Sequence, residues 1–159
     1  MIREKDSRGM ARLYTYFHKR LKAAAVAMIK NIDIAEDIAS DLLCHIFDTV
    51  ERYGYVDNPN AWLYRSIKNA VINYVTRNQI VIPDDDIVEN YSVDYELEHK
   101  LEFNEALLHF NKRERQVLVL YYAYGYTYEE IAEVLQISSS TVKRDLNKTR
   151  TLLKFYLKK

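Results

Sequence analysis

Apolar positions recur at helical spacing along most of this chain, and short polar signals cut the pattern into segments. Thr127 and Glu130 make a capping box ahead of a stripe formed by Ile131, Val134 and Leu135, with Ala132 small enough for close helix approach. Gln136 and Ile137 form a turn, and Ser138 caps a further helix whose Val142, Leu146 and Leu153 face inward. Upstream, Asn111 with Glu114 opens a helix through Val117, Leu118, Leu120 and Tyr121 that stops at Gly125. Leu97, Leu101, Leu107, Leu108 and Phe110 predict one more helix before it.

The first half is punctuated in the same way. Arg8 to Ile29 reads as a long helix stopped near Asn31. Asp33 with Glu36 forms a capping box for a helix through Ile38, Leu42, Phe47 and Val50 that ends at Gly54. Asn58 caps a third, with Pro59 in its first turn and Trp62, Leu63, Ile67, Ala70, Val71 and Tyr74 as its stripe, fading near Asn78. No long alternating pattern competes, so the expected class is all-α: a three-helix bundle followed by a four-helix unit.

Composition agrees, with 48% apolar residues but three Gly and two Pro. The formal net charge of zero conceals a division along the chain. Residues 1–80 hold 12 Lys+Arg against 9 Asp+Glu, residues 81–108 hold 1 against 9, and residues 109–159 hold 10 against 5. Two basic modules joined by an acidic linker, IVIPDDDIVENYSVDYE, account for that layout. The boundaries expected are 1–79, 80–96 and 97–159. No apolar run reaches the roughly twenty residues of a membrane span, and no apolar stretch follows the charged start, so no membrane insertion and a cytoplasmic location are expected. Cys44 has no partner for an internal disulfide, and neither Cys nor His occurs at zinc-finger spacing. His18, His45, His99 and His109 read as surface or core-edge residues.

The chemistry concentrates in the last two helices, which have the shape of a helix-turn-helix. Ser139, Ser140, Thr141, Lys143, Arg144, Asn147 and Lys148 lie outward at the start of the second helix. Short hydroxyls, an amide and cations at a helix N-terminus suit phosphates and base edges in a major groove. A solvated helix face is the plain alternative, and the capped helix and apolar turn beside it favour DNA binding.

AEDIASDLLCHIF (35–47), NPNAWLYRSIKNAVINYVTRN (58–78), RERQVLVLYYAYGYTYEEIAEVLQIS (113–138) and STVKRDLNKTR (140–150) together resemble the sigma factors of bacterial RNA polymerase, of the small extracytoplasmic-function type that keeps regions 2 and 4. The helix-turn-helix by itself is also similar to LuxR-type activators; the AWLYR…N…Y block is more specific. The resemblance implies polymerase core as a partner, through its clamp helices and flap, and promoter DNA both as duplex and as single strand. An anti-sigma factor is a further candidate partner. Asp37 and Asp41, four residues apart, would face clamp-helix cations, with Leu43 on the same polymerase-binding helix. Arg65, Asn69, Asn73 and Arg77 share one helix face, and with Tyr64 and Lys68 would handle the melted minus-ten element, Asn69 touching a flipped base. Trp62 reads as a core anchor. In the helix-turn-helix, Lys143 and Arg144 would read the minus-thirty-five element while Lys148 and Arg150 hold phosphates. The acidic run Asp84–Asp86 could imitate a phosphate backbone or simply solvate a tether.

The chain departs from the family pattern at Ser40 (Gln is common), Leu43 (Phe), Gln136 (Gly in the turn) and Asp145 (a cation). Gln136 predicts a somewhat different turn. Asp145 could select a cytosine amino group, repel phosphate or pair with a neighbouring Lys. Two other classes stay open, a LuxR-like activator and a sigma-like adaptor that occupies polymerase without opening promoters. An enzyme is disfavoured, because no nucleophile–base pair, phosphate loop or metal cluster is visible, and no cofactor is expected.

Overall fold

The computed structural model describes residues 7–53, 58–80 and 102–157, and every regular element among them is helical. The helices are α1 (Ser7–Ile29), α2 (Ile32–Tyr53), α3 (Pro59–Arg77), α4 (Phe103–Leu107), α5 (Lys112–Leu118), α6 (Tyr128–Leu135) and α7 (Ser139–Tyr156). The chain divides into two compact units, Met1–Ala25 with Ile29–Val81 and Val26–Met28 with Ile82–Lys159.

In the first unit, α1 and α2 form an antiparallel hairpin separated by two residues. Lys30 takes a left-handed conformation (φ 53) that ends α1. The side-chain oxygen of Asn31 then accepts the Ile34 N–H at 3.0 Å and caps α2. This corrects the expected start at Asp33, which lies inside the first turn and favours the helix dipole instead. Its supposed capping partner, Glu36, reaches across the hairpin to His18 Nε2 at 2.9 Å and Lys22 Nζ at 3.0 Å. Near the other end of the hairpin, Tyr14 stacks on Phe47 with centroids 6.4 Å apart.

Asn58 caps α3 by accepting the Ala61 N–H at 3.3 Å, and Pro59 occupies the first turn. The expected stop of α2 at Gly54 lies outside the described residues. Leu21 of α1, Ala35, Ile38, Ala39, Leu43 and Ile46 of α2, and Leu63, Tyr64, Ile67 and Val71 of α3 are all buried. Each fully buried Leu or Ile stabilises the unit by about 1.5–3 kcal/mol. Trp62 is only half-buried.

The second unit opens with α4, a single short turn in which the Glu105 carboxylate accepts the Glu102 N–H at 3.3 Å. Leu97 and Leu101, expected on this helix, lie outside the described residues. Asn111 and Glu114 cap α5 reciprocally, at 2.8 and 3.2 Å. The helix expected to run on to Gly125 changes character instead: Val119–Ala123 is a π-helical turn, closed by the Tyr124 N–H to Val119 O bond at 3.2 Å. The wider turn shifts the phase of the stripe, so Tyr124 is buried at 4% exposure while Tyr122 is 48% exposed.

Thr127 and Glu130 cap α6 reciprocally, at 3.2 and 2.9 Å. At its end Gln136 sits at φ 55, ψ 47, in the left-handed geometry usual for a Gly. The expected change of turn is therefore not what the substitution produces; the turn is kept, at a backbone cost of about 1–2 kcal/mol for a residue with a Cβ. The Ile137 N–H closes the turn on Ala132 O at 3.0 Å. Ser138 caps α7 by accepting the Thr141 N–H at 3.1 Å.

Burial opposes ionisation of Glu36, but the hydrogen bonds and charges of Lys22 and His18 outweigh it and hold the carboxyl below its ordinary value of 4.5. A carboxyl depressed in the fold contributes stability above its unfolded value and loses it as pH falls through the folded one. Urea unfolding of wild type and Glu36→Gln between pH 3 and pH 6 should show a stability gap that narrows toward the acid end. A gap independent of pH would remove Glu36 as an ionic tie of the hairpin.

Candidate nucleic-acid interface

The recognition helix α7 has an apolar back and a polar front. Val142, Leu146, Leu153 and Tyr156 are buried, while Ser139, Ser140, Lys143, Arg144 and Asn147 are exposed. Thr141 is intermediate, because its hydroxyl is engaged by Ser138 Oγ at 2.8 Å and by the Arg144 guanidinium at 3.4 Å. That contact steadies Arg144 close to the capped end of the helix, where backbone N–H groups and the dipole favour an anion.

Two ion pairs tie α7 to α5. Arg113 donates to both carboxylate oxygens of Asp145, at 2.7 and 3.1 Å, and Asp145 is 4% exposed. One helical turn on, Lys148 donates to Glu114 at 3.0 Å, and Glu114 is also the capping residue of α5. Asp145 thus faces inward, which removes it as a groove-facing selector of cytosine or a phosphate repellent, and its partner is Arg113 rather than a neighbouring Lys. Lys148, expected as a phosphate contact, has its ammonium held by Glu114 although its side chain remains 67% exposed. Arg150 is exposed. Thr149 is buried and returns its hydroxyl to the Asp145 carbonyl at 2.7 Å.

On α3, Arg65, Lys68, Asn69, Asn73 and Arg77 are exposed and share one side of the helix. Tyr64 is 6% exposed and packs inward, so it supports this face from behind and is not a surface contact. Ile72, unnoticed in the sequence, is 51% exposed among these polar groups. The signal was present: Ile72 stands one residue beyond Val71, about 100° off the buried stripe.

On α2, Asp37 and Asp41 are exposed, and Asp33, Cys44 and Asp48 fall on the same face. Leu43 points the other way, at 0% exposure, so it belongs to the core and corrects its assignment as a polymerase contact. Among the described residues no group of His, Cys, Asp and Glu has a geometry that could hold a metal ion, and no helix is long and apolar enough to cross a membrane.

One unit thus carries a helix-turn-helix with a basic outer face and the other a helix with an exposed polar and cationic face, two helical modules with the surface chemistry of a DNA-binding protein. Residues 13–80 match the family model for sigma-70 region 2, and residues 100–153 match that for sigma-70, region 4. The chain is 26% identical over 137 residues to the RNA polymerase sigma factor SigV of Bacillus subtilis, covering 85% of this chain and 82% of that one. It is 24% identical over 139 residues to the ECF RNA polymerase sigma factor EcfG of Rhodopseudomonas palustris, covering 84% and 76%. In fold it is similar to the sigma factor RpoE of Bartonella quintana, solved in complex with the anti-sigma factor NepR, with a TM-score of 0.55, 20% identity, and coverage of 94% of this chain and 96% of that one. The chain belongs to the sigma-70 family of RNA polymerase sigma factors, in its small extracytoplasmic-function branch.

Removing Arg113 would strand a nearly buried carboxylate. Arg113→Ala should destabilise the second unit by about 1–3 kcal/mol, less than a wholly buried pair because the Arg is half exposed. Denaturant unfolding of Arg113→Ala, Asp145→Ala and the double variant should show a coupling of about 0.5–3 kcal/mol. Additive losses would mean that the pair does not hold α7 in place.

Proposed function

We propose that this protein directs core RNA polymerase to particular promoters and supports their opening, with residues 1–79 acting as the region-2 module, 80–96 as an acidic connector and 97–159 as the region-4 module. The observation that carries this reading is the order of matched regions in one chain, each with an exposed polar face on the helix that would meet DNA. Catalysis then belongs to the polymerase, and the protein works where polymerase is, in the cytoplasm.

In this reading α7 enters the major groove of the minus-thirty-five element. Ser139, Ser140 and Thr141 meet phosphate near the helix N-terminus, Lys143, Arg144 and Asn147 reach base edges, and Lys148 with Arg150 lies along the backbone. The α3 face takes the melted minus-ten strand. Asn69 and Asn73 offer amides to base edges, Ile72 gives a base an apolar seat, and Arg65, Lys68 and Arg77 follow the phosphates. The α2 face, with Asp33, Asp37, Asp41 and Asp48, docks on cations of the polymerase clamp helices, while the second module meets the flap. The acidic connector, whose residues 81–96 lie outside the described ones, would run along basic walls of the polymerase. An anti-sigma factor is a further partner in this reading, since the similar Bartonella quintana sigma factor is found in complex with one.

Reconstituted transcription with purified core polymerase and genomic DNA fragments, followed by mapping of start sites, tests the whole reading. Initiation at defined sites supports it; a chain that binds core polymerase without ever starting RNA is an adaptor, and one that binds duplex DNA tightly without polymerase is an activator. Arg144→Ala should cost about 1–3 kcal/mol at one promoter position and relax base choice there; an equal loss at every position refutes the contact. Asn69→Ala should leave polymerase binding intact and impair opening, seen as lost permanganate reactivity. Reversing charge at Asp37 and Asp41 together should weaken co-purification with core polymerase, and unchanged recovery would remove that docking face.

A further inference from the structure

A shallow open depression of about 480 Å³ lies on α1, with walls formed by residues that none of the surfaces assigned above includes: Ala11, Arg12, Thr15, Tyr16, Lys19 and Arg20. Positions 12, 16, 19 and 20 share one helix face. Three of the six side chains are cations and none is an acid. Tyr16 is 48% exposed, and the Arg20 guanidinium carbon lies 3.5 Å from its ring centroid. Arg20 also donates to the Tyr16 carbonyl at 3.2 Å, which fixes the stacked pair in place. Arg12 and Lys19 are exposed beside it.

We propose that this face is a second binding site for single-stranded nucleic acid, Arg12 and Lys19 holding phosphates while the Tyr16–Arg20 pair presents a π surface to a base. Cations along a strand together with an aromatic platform is the chemistry of sequence-tolerant strand binding. Arg12 to Arg20 spans about 12 Å of helix, the length of three or four stacked nucleotides at about 3.4 Å each. An acidic peptide would satisfy the cations and leave the half-exposed ring unused, so the ring decides for a nucleotide strand. The natural ligand, an unpaired promoter strand, rests on the promoter-opening reading.

Fluorescence anisotropy of the full chain with a labelled 12-nucleotide single-stranded DNA, measured across salt concentration, tests the site. Arg12→Ala/Lys19→Ala should lower the slope of log affinity against log salt by about 1.4, the value for two single-strand phosphates. Tyr16→Ala should weaken binding about 5- to 150-fold with the slope unchanged. Tyr16→Phe, which keeps the ring, should bind like wild type and guards against a folding defect. Wild-type affinity and slope in both the double variant and Tyr16→Ala would overturn the proposal, as would displacement of the oligonucleotide by polyglutamate as readily as by unlabelled DNA. A chain that shows these losses yet never initiates transcription keeps this site and loses the sigma reading. One that initiates normally with strand binding unaltered by the substitutions loses this site alone.

Discussion

The recognition helix is useful only if its front is held at a fixed angle to the rest of its unit, and two ion pairs to α5 do this. Arg113 grips Asp145 through two parallel bonds, and Lys148 meets Glu114 one turn further along. The bidentate fork fixes orientation as well as distance, which a hydrophobic contact cannot. Because Glu114 also caps α5, the start of that helix, its position and the position of α7 are one linked arrangement. The buried apolar residues of these helices, Val142 and Leu146 of α7, Val117 of α5 and Ile131 of α6, supply the driving force, and the charges choose among the rotations that burial alone would allow.

The same division of labour recurs in the first unit. Leu63, Tyr64, Ile67 and Val71 anchor α3, freeing the opposite side for amides and cations. Glu36, shared between His18 and Lys22, joins the two legs of the α1–α2 hairpin at a point where burial leaves α2 free to show its aspartates. An acidic face on α2 and basic faces on α3 and α7 coexist in a chain of zero net charge because they sit on different helix faces. Net charge says little about binding in such a protein; its distribution says most.

Several departures from the family pattern find a physical place. Asp145 stands where a cation is common and is turned inward to pair with Arg113. Gln136 stands where Gly is common and adopts the left-handed geometry regardless, so the turn survives at some conformational expense. Ser40 lies half-buried on the inner side of the hairpin, its hydroxyl 3.3 Å from Glu36, so it joins the ionic cluster and is not part of the aspartate face.

Much was legible in the sequence by itself. Four caps, at Asn58, Asn111, Thr127 and Ser138, are readable because each depends on a side chain three residues or fewer from the backbone group it satisfies. The amphipathic stripes, the helix-turn-helix and the resemblance to a sigma factor follow from that local order. The cap of α2 was misassigned because Asn31 and Asp33 are both competent, and only the way α1 ends at Lys30 decides between them. Which way Asp145, Leu43, Tyr64 and Ile72 point was decided by tertiary packing, since a helix offers every residue some face and only its neighbours determine which face meets water. The sequence therefore determined the kinds of helices and the family they serve. The three-dimensional arrangement decided which charges are spent inside the fold and which remain on the surface, because a salt bridge such as Arg113–Asp145 joins residues that lie far apart in the chain.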